Sequence, residues 1–318
     1  MIDEDAATQN AAVNAVGATS RRVKIGLVQE CWRRDSAAHA QALWNGVHDA
    51  AARGAQLVCL QELTLHRYFG DVKDPALFDL AELLESGPTS RYCKQWARQA
   101  GVFVVGSLFE RAILQDPVGS PAKPHFFNTA IVCSPDGQLV GFTRKQHIPR
   151  GTGYNEDFYF EPGNSDYPVH DLGFIKLAVP TCYDQWFPEL ARIYALKGAE
   201  LLVYPTAIGS EPEHPEFDSQ PLWQQMMTSH AIANGVFVAA VNRTGNDDHA
   251  AQDVQQKVNF YGSSFACDPT GAILTQAPRH TPAVQVATLD FAVLAFWRKL
   301  FPLLAQRQPQ TYQRLLQS

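Results

Sequence analysis

Ile175-Lys-Leu-Ala-Val-Pro-Thr-Cys182-Tyr-Asp-Gln-Trp-Phe-Pro-Glu-Leu-Ala-Arg-Ile-Tyr-Ala-Leu-Lys-Gly198 passes through three kinds of local structure in immediate succession. The apolar run predicts a buried strand that stops at a cysteine. A short polar elbow follows, and Pro188 opens an amphipathic helix that closes at Gly198. A strand feeding a helix through a polar join is the building unit of an α/β protein. It displays the Cys182 thiol at the C-terminal end of a strand, beside the N–H groups of a helix N-terminus, where a thiolate is favoured and an oxyanion can be held. Free cysteine is also among the most buried residue types, so this stretch alone favours a core role for Cys182.

The pattern repeats on both sides. Segments 23–29, 56–61 and 102–109 read as strands, and 37–53 and 90–100 as helices ending at Gly54 and Gly101. Strands 126–133 and 138–143 are joined by Ser134-Pro-Asp-Gly137, a turn suited to a hairpin. Beyond the elbow come strand 200–204, helix 221–234 and strand 236–242. A second hairpin, 259–267 with 272–276, crosses Asp268-Pro-Thr-Gly271. Crossover helices mixed with hairpins imply mixed sheets covered by helices. The chain has no long linker, repeat or composition break, so 21–290 is expected to form one domain, preceded by a loose polar tail over 1–20 and followed by a C-terminal segment over 291–318.

Composition narrows the class. With 318 residues, 46% hydrophobic and 18% charged, the chain has the balance of a folded globular protein with a large core. A net charge of −6 gives no electrostatic footprint for nucleic acid or an anionic membrane, and no apolar run approaches a membrane span. Six scattered cysteines (31, 59, 93, 133, 182 and 267) lack any Cys-x-x-Cys pair. That argues for free thiols in a reducing compartment, with no disulfide framework and no zinc site. The acidic start Met1-Ile-Asp-Glu-Asp lacks the basic region of a secretory signal, so a cytoplasmic location is expected.

Several strands end on polar groups: 56–61 delivers Glu62, 138–143 delivers Arg144 and Lys145, 173–181 delivers Cys182. Sites in open α/β sheets lie beyond the carboxyl ends of strands, so these groups can converge. A thiol nucleophile needs a base to take its proton and a cation or N–H pair for the oxyanion. Glu62 and Lys145 are of the required types; taken singly, a cap for the next element and a surface lysine are the favoured readings, and only together do they suggest a site.

Gln61-Glu62-Leu63, Arg144-Lys145-Gln-His-Ile-Pro149 and Cys182-Tyr-Asp-Gln-Trp-Phe-Pro-Glu189 resemble, in order, the three signature regions of the nitrilase superfamily of carbon–nitrogen hydrolases. The resemblance runs from about Lys24 to Leu316. Gly153-Tyr-Asn-Glu-Asp-Phe-Tyr-Phe-Glu-Pro-Gly163, Tyr204-Pro-Thr-Ala-Ile-Gly-Ser-Glu-Pro212, Asn242-Arg-Thr-Gly245 and Phe260-Tyr-Gly-Ser-Ser-Phe265 are similar to its N-carbamoylputrescine amidase branch. The resemblance implies a four-layer α-β-β-α sandwich, two mixed β-sheets flanked by helices. It implies Cys182 as nucleophile, Glu62 as general base and acid, Lys145 as oxyanion stabiliser, and Glu156 as a second glutamate orienting the lysine. The Tyr183 N–H would complete the oxyanion hole and Asp184 would brace the elbow. No metal or organic cofactor is implied, and the superfamily's habit suggests a homo-oligomer built on dimers.

The implied activity is hydrolysis of a small N-carbamoyl amine, N-carbamoylputrescine first, with a β-ureidopropionase-like or other aliphatic amidase as the rival. A catalytically inactive ligand-binding relative is a further alternative. A cationic far end wants a carboxylate, and Ser210–Asp218 carries four, of which Glu211 lies in the branch-like segment. Tyr154 and Arg150 are the other candidate substrate-binding residues. The branch's Pro-Asp-Gly-Pro-Gly-Tyr reads Pro149-Arg-Gly-Thr-Gly-Tyr154 here, which places Arg150 where the branch has an aspartate. Its Ile-Cys-Trp becomes Thr181-Cys182-Tyr183, and Leu222 replaces a histidine expected near the far end of the substrate.

Overall fold

The computed structural model describes residues 21–114, 123–247 and 258–317. The tail expected over 1–20 lies outside them. The first half supplies five strands of one six-stranded sheet. β1 (Arg22–Gln29), β2 (Leu57–Cys59) and β3 (Phe103–Ile113) run parallel, and β4 (Pro124–Cys133) and β5 (Leu139–Arg144) continue antiparallel. The helices between them are α1 (Ser36–Ala52) and α2 (Pro88–Ala100). Asp35 caps α1, its Oδ1 accepting from the N–H groups of Ala37 and Ala38. Gly101, at φ 68°, ends α2 in the left-handed conformation.

The second half repeats the plan. β7 (Lys176–Ala178), β8 (Leu201–Pro205) and β9 (Phe237–Val241) form a parallel trio, flanked by the two-residue β6 (His170–Asp171) on one side and by β12 (Phe265–Cys267) and β13 (Ile273–Gln276) on the other. Its helices are α3 (Pro188–Leu196) and α4 (Gln220–Asn234).

The sheets stack face to face. Ile25, Leu27, Leu57, Val105 and Val132 of the first meet Leu177, Leu201, Phe237, Ala239 and Ala266 of the second, all buried. Alternate residues turn outward to the helices: Val28, Val58 and Val104 toward α1 and α2, and Leu202, Val238 and Ala240 toward α3 and α4. The result is the four-layer α-β-β-α sandwich that the resemblance implied. Helix α1 lies unusually near β1, because a Cβ on Gly46 would come within 2.4 Å of Val28 and one on Gly26 within 2.6 Å of Ala50.

The structure departs from the sequence expectations in three places. Strand 173–181 shrinks to β7, since Val179-Pro-Thr leads straight into the elbow and proline cannot donate to a ladder. The strand expected at 259–267 is broken, with both Gly262 and Ser263 at positive φ. Its first part, β11 (Phe260–Tyr261), pairs with β10 (Thr244–Gly245), and only the remainder, β12, joins the main sheet. β14 (Ala283–Asp290), unforeseen, pairs along all of β1 and closes the first sheet. The C-terminal segment is partly core: in α5 (Phe291–Leu300), Phe291 and Leu294 are buried against the inter-sheet core, and Trp297 donates to the Ile232 carbonyl. Among the described residues no helix is long and apolar enough to cross a membrane.

Candidate active site

The polar groups that follow the carboxyl ends of β2, β5 and β7 meet at one place, where Lys145 lies between Glu62 and Glu156 and Cys182 feels all three. Past β7, Val179-Pro-Thr181 leads to Cys182, where the chain winds into a 3₁₀ turn over residues 182–186. Cys182 itself is held at φ 41°, a region a non-glycine residue visits only when its surroundings over-determine it. Asp184 supplies part of that constraint. Its buried carboxylate accepts from the Thr181 N–H at 3.1 Å and from the His147 N–H at 2.8 Å. The expected elbow brace therefore reaches further than the elbow, tying it to the segment that carries Lys145. The His147 ring stacks on Phe187 at 3.6 Å and secures the same junction.

Glu62, beyond β2, is fully buried. Its Oε1 accepts from Lys145 Nζ at 2.9 Å and from Asn128 Nδ2 at 2.7 Å, while Oε2 has no protein partner. Lys145 Nζ also donates to Glu156 Oε2 at 2.6 Å, and Tyr68 donates to Glu156 Oε1 at 3.0 Å. The ammonium has three N–H groups, and these two carboxylates engage two of them. Burial disfavours the lysine's charge, but Glu156 and Glu62 outweigh it and hold Lys145 protonated well above its ordinary range. Burial pushes the Glu156 carboxyl upward, with Lys145 pulling it back. Burial, then the Glu62 carboxylate, raises the Cys182 thiol, and Lys145 offsets only part of that. The resting thiol is therefore protonated, and its activation requires a base behind the wall of the cavity that Cys182 borders, where Glu62 and Lys145 are buried.

That cavity has a volume of ≈ 240 Å³. Cys182, Glu156, Tyr154, Gln185, Glu211 and Arg150 are on its wall, with Tyr183, Trp186, Pro149 and Ile208 as its apolar lining. Tyr154 is fixed from two sides, donating to the Ser210 carbonyl and accepting from the Gly209 N–H. Of the four carboxylates in the 210–218 loop, only Glu211 lines this cavity. Asp218 pairs with Arg279 at 2.8 Å, and Glu213 accepts from Thr152. Leu222, expected near the far end of a substrate, is instead exposed at the start of α4 and off the cavity wall. Its neighbour Trp223 is the buried one, because the helix turns position 222 outward and 223 toward β8 and β9. Among the described residues no cluster of His, Cys, Asp and Glu could hold a metal ion.

Sequence reasoning passed over Asn128, Tyr68, Gln185 and the Arg243–Asp247 pair. Asn128 had one available signal, an amide inside the apolar run Phe126–Cys133. Arg243 lies within the branch-like Asn242-Arg-Thr-Gly245, but nothing in the sequence joins it to Glu62. Fully buried, its guanidinium donates to the carbonyls of Glu62 (2.7 Å), Leu63 (3.3 Å) and His66 (3.2 Å), pairs with Asp247, and faces Phe260. Asp247 in turn accepts from the Tyr68 N–H. One ion pair thus sets the turn bearing Glu62, whose Leu63 is held at φ 48°, and the tyrosine that orients Glu156. Arg243→Lys keeps the charge but loses the planar group that meets the three carbonyls through Nη2 and Asp247 through Nη1 at once. It should lower kcat by about 10- to 100-fold with little change in KM, an effect of misplacement by about 1 Å. Steady-state kinetics beside a melting curve checks this, and an unchanged kcat would remove Arg243 from the positioning network.

The chain is similar to known proteins over most of its length. A carbon-nitrogen hydrolase family model matches residues 24–299. The chain is similar to a citrullinase of Francisella tularensis (37% identity, covering 92% of this chain and 98% of that protein). It is also similar to an N-carbamoylputrescine amidase of Arabidopsis thaliana (36%, covering 93% and 96%). The crystal structure of a carbon-nitrogen hydrolase from Helicobacter pylori superposes with a TM-score of 0.83 at 32% identity, covering 93% of this chain and 99% of that one. The chain belongs to the carbon-nitrogen hydrolase family of the nitrilase superfamily, hydrolases of amide-type bonds.

Proposed function

We propose that this protein hydrolyses a linear N-carbamoyl amine, N-carbamoylputrescine first, through a covalent Cys182 intermediate. The observation that carries the reading is the unpartnered Oε2 of Glu62, a buried carboxylate oxygen whose twin is bound by Lys145, in a site whose thiol is protonated at rest. Glu62 takes the Cys182 proton as sulfur attacks the ureido carbon. The oxygen that becomes negative is held by the third N–H of Lys145 and by the Tyr183 N–H. The glutamic acid so formed returns its proton to the departing nitrogen, leaving a carbonyl–sulfur bond. Glu62 then deprotonates a water that attacks the carbonyl of this S-carbamoyl group; the collapse expels the Cys182 sulfur, which takes the proton back from Glu62, and the carbamate released loses CO2 to free the second nitrogen.

The ureido class is supported by the names of the two relatives above, one acting on N-carbamoylputrescine and the other on citrulline. An amine at the far end is supported by Glu211, the carboxylate on the cavity wall beyond Cys182. The test is a panel of N-carbamoylputrescine, N-carbamoyl-β-alanine and a simple ω-amide with ammonia detection. N-carbamoylputrescine should exceed N-carbamoyl-β-alanine at least tenfold in kcat/KM. Preference for the β-alanine compound would overturn the amine assignment, and activity on the ω-amide alone would overturn the ureido class.

A further inference from the structure

Glu211 is a charge without a counter-charge. Its carboxylate lines the cavity, and among the described residues it has no hydrogen-bond or ion-pair partner. The other carboxylate on the wall, Glu156, is engaged by Lys145 and Tyr68. Arg150, the cation on the wall, has a side chain 81% exposed that meets Asp157 at 3.5 Å, so water and that aspartate screen it. Three aromatic side chains share the wall with Glu211: Tyr154, Tyr183 and Trp186. The O–H of Tyr154 goes to the Ser210 carbonyl and its oxygen accepts from the Gly209 N–H, which leaves its ring for a ligand. Burial, then the Glu211 carboxylate, raises that phenol, so the carboxylate and the ring stand close together. Trp186 packs against the buried cluster beneath α3 and α4, reaches the cavity wall, and has no partner among the described ring contacts. Indole offers a cation the best of the aromatic faces.

Size decides what such a wall can do. A water occupies about 30 Å³, so the ≈ 240 Å³ cavity holds about eight. A ureido amine displaces most of them, and its ammonium arrives stripped of its shell. The two oxygens of Glu211 balance the charge but cannot meet every N–H of an ammonium. A ring face attracts the remaining charge without needing a directed N–H. We infer that Glu211, Tyr154 and Trp186 form an ammonium pocket that reads the charge of the substrate's far end and not its N–H groups. The substrate class then widens from a primary ω-ureido amine to its N-methylated forms, the quaternary ammonium included. It excludes neutral ends of the same shape. Methylation keeps the charge and lowers the cost of leaving water, and an aromatic wall suits a methylated cation for that reason. The inference rests on the carbamoyl-amine reading above and extends it.

The test measures kcat/KM, by ammonia release, for N-carbamoylputrescine, its trimethylammonium analogue and pentylurea, the neutral isostere with a methyl in place of the ammonium. In the wild type the trimethylammonium compound should stay within about tenfold of N-carbamoylputrescine, and pentylurea should fall far below both. Glu211→Gln should lower the cation-to-pentylurea ratio at least tenfold. Trp186→Leu should lower it about fivefold, and Trp186→Phe, which keeps a ring, should hold most of it. A Trp186 that only supports the elbow would lower all three substrates alike. A ratio unmoved by Trp186→Leu would therefore overturn the pocket. The wild-type comparison needs no variant and decides even if Trp186→Leu does not fold. Loss of more than tenfold on trimethylation would show that N–H groups are read, and would overturn the inference while leaving the carbamoyl-amine reading standing. Pentylurea turned over as well as the cations would overturn it too. No turnover of any of the three would bring down the parent reading along with this one.

Discussion

Cys182→Ala should remove turnover, with kcat falling by on the order of 10⁴-fold or more, as expected when a covalent nucleophile is deleted. The fold should hardly notice. Among the described contacts, the thiol makes one weak hydrogen bond, to the Ala207 carbonyl at 3.9 Å, and alanine meets the same backbone demand at φ 41°. Cys182→Ser fits the same space but should rescue little, since a hydroxyl is harder to deprotonate than a thiol and the base available is a carboxylate. The informative companion is Glu62→Gln. It keeps the shape and an acceptor for Lys145 and Asn128, but cannot take the proton. That variant should also be inactive, by about 10²- to 10⁴-fold. Ammonia release by the three variants, with melting curves alongside, decides the matter. Turnover within tenfold of wild type in Cys182→Ala would put the nucleophile elsewhere.

Lys145→Met should damage both activity and stability, and the two can be separated. Loss of one well-placed oxyanion donor costs about 10²- to 10³-fold in kcat. The stability effect arises because Lys145 is fully buried between Glu62 and Glu156. Without the ammonium, two carboxylates share a dry site, and breaking a buried pair typically costs about 3–5 kcal/mol. Glu156, already raised by burial and restrained by Lys145, will rise further and take up a proton at neutral pH. Adding Glu156→Gln should therefore recover much of the lost stability, because an amide needs no counter-charge and still accepts from Tyr68. It should recover none of the turnover. If the double variant regained activity, Lys145 would be serving only to neutralise Glu156, and the oxyanion role would fall.

The element types and their order were legible from residue 22 to the end of α4, because each is written in local periodicity. The strand–elbow–helix at Cys182, the Gly54 and Gly101 stops and the Pro-Asp-Gly turn at 135–137 are short-range signals that need no partner to be read. β14 was not legible. Its burial pattern is mixed, and it is a strand because β1, some 260 residues earlier, offers it a full-length edge. The break at Gly262-Ser263 escaped for a similar reason, since β10 competes for the first half of what reads as one strand.

The same division runs through the site. Glu62, Lys145 and Cys182 stood out as polar groups at strand ends, and motif resemblance supplied Glu156. Which oxygen of Glu62 is left open, how many N–H groups Lys145 retains, and that Arg243 and Asp247 support the whole arrangement are decided by contacts between residues 11 to 181 positions apart. Sequence by itself determined which chemical groups this protein carries and the alternation of strands and helices that presents them, because both follow from local propensity and pattern, while the four layers came from the family resemblance. Tertiary structure alone decided their geometry and charge state. Desolvation and pairing depend on neighbours that only folding brings within 3 Å, and it is these that leave the thiol protonated, the lysine charged and a single carboxylate oxygen free to act.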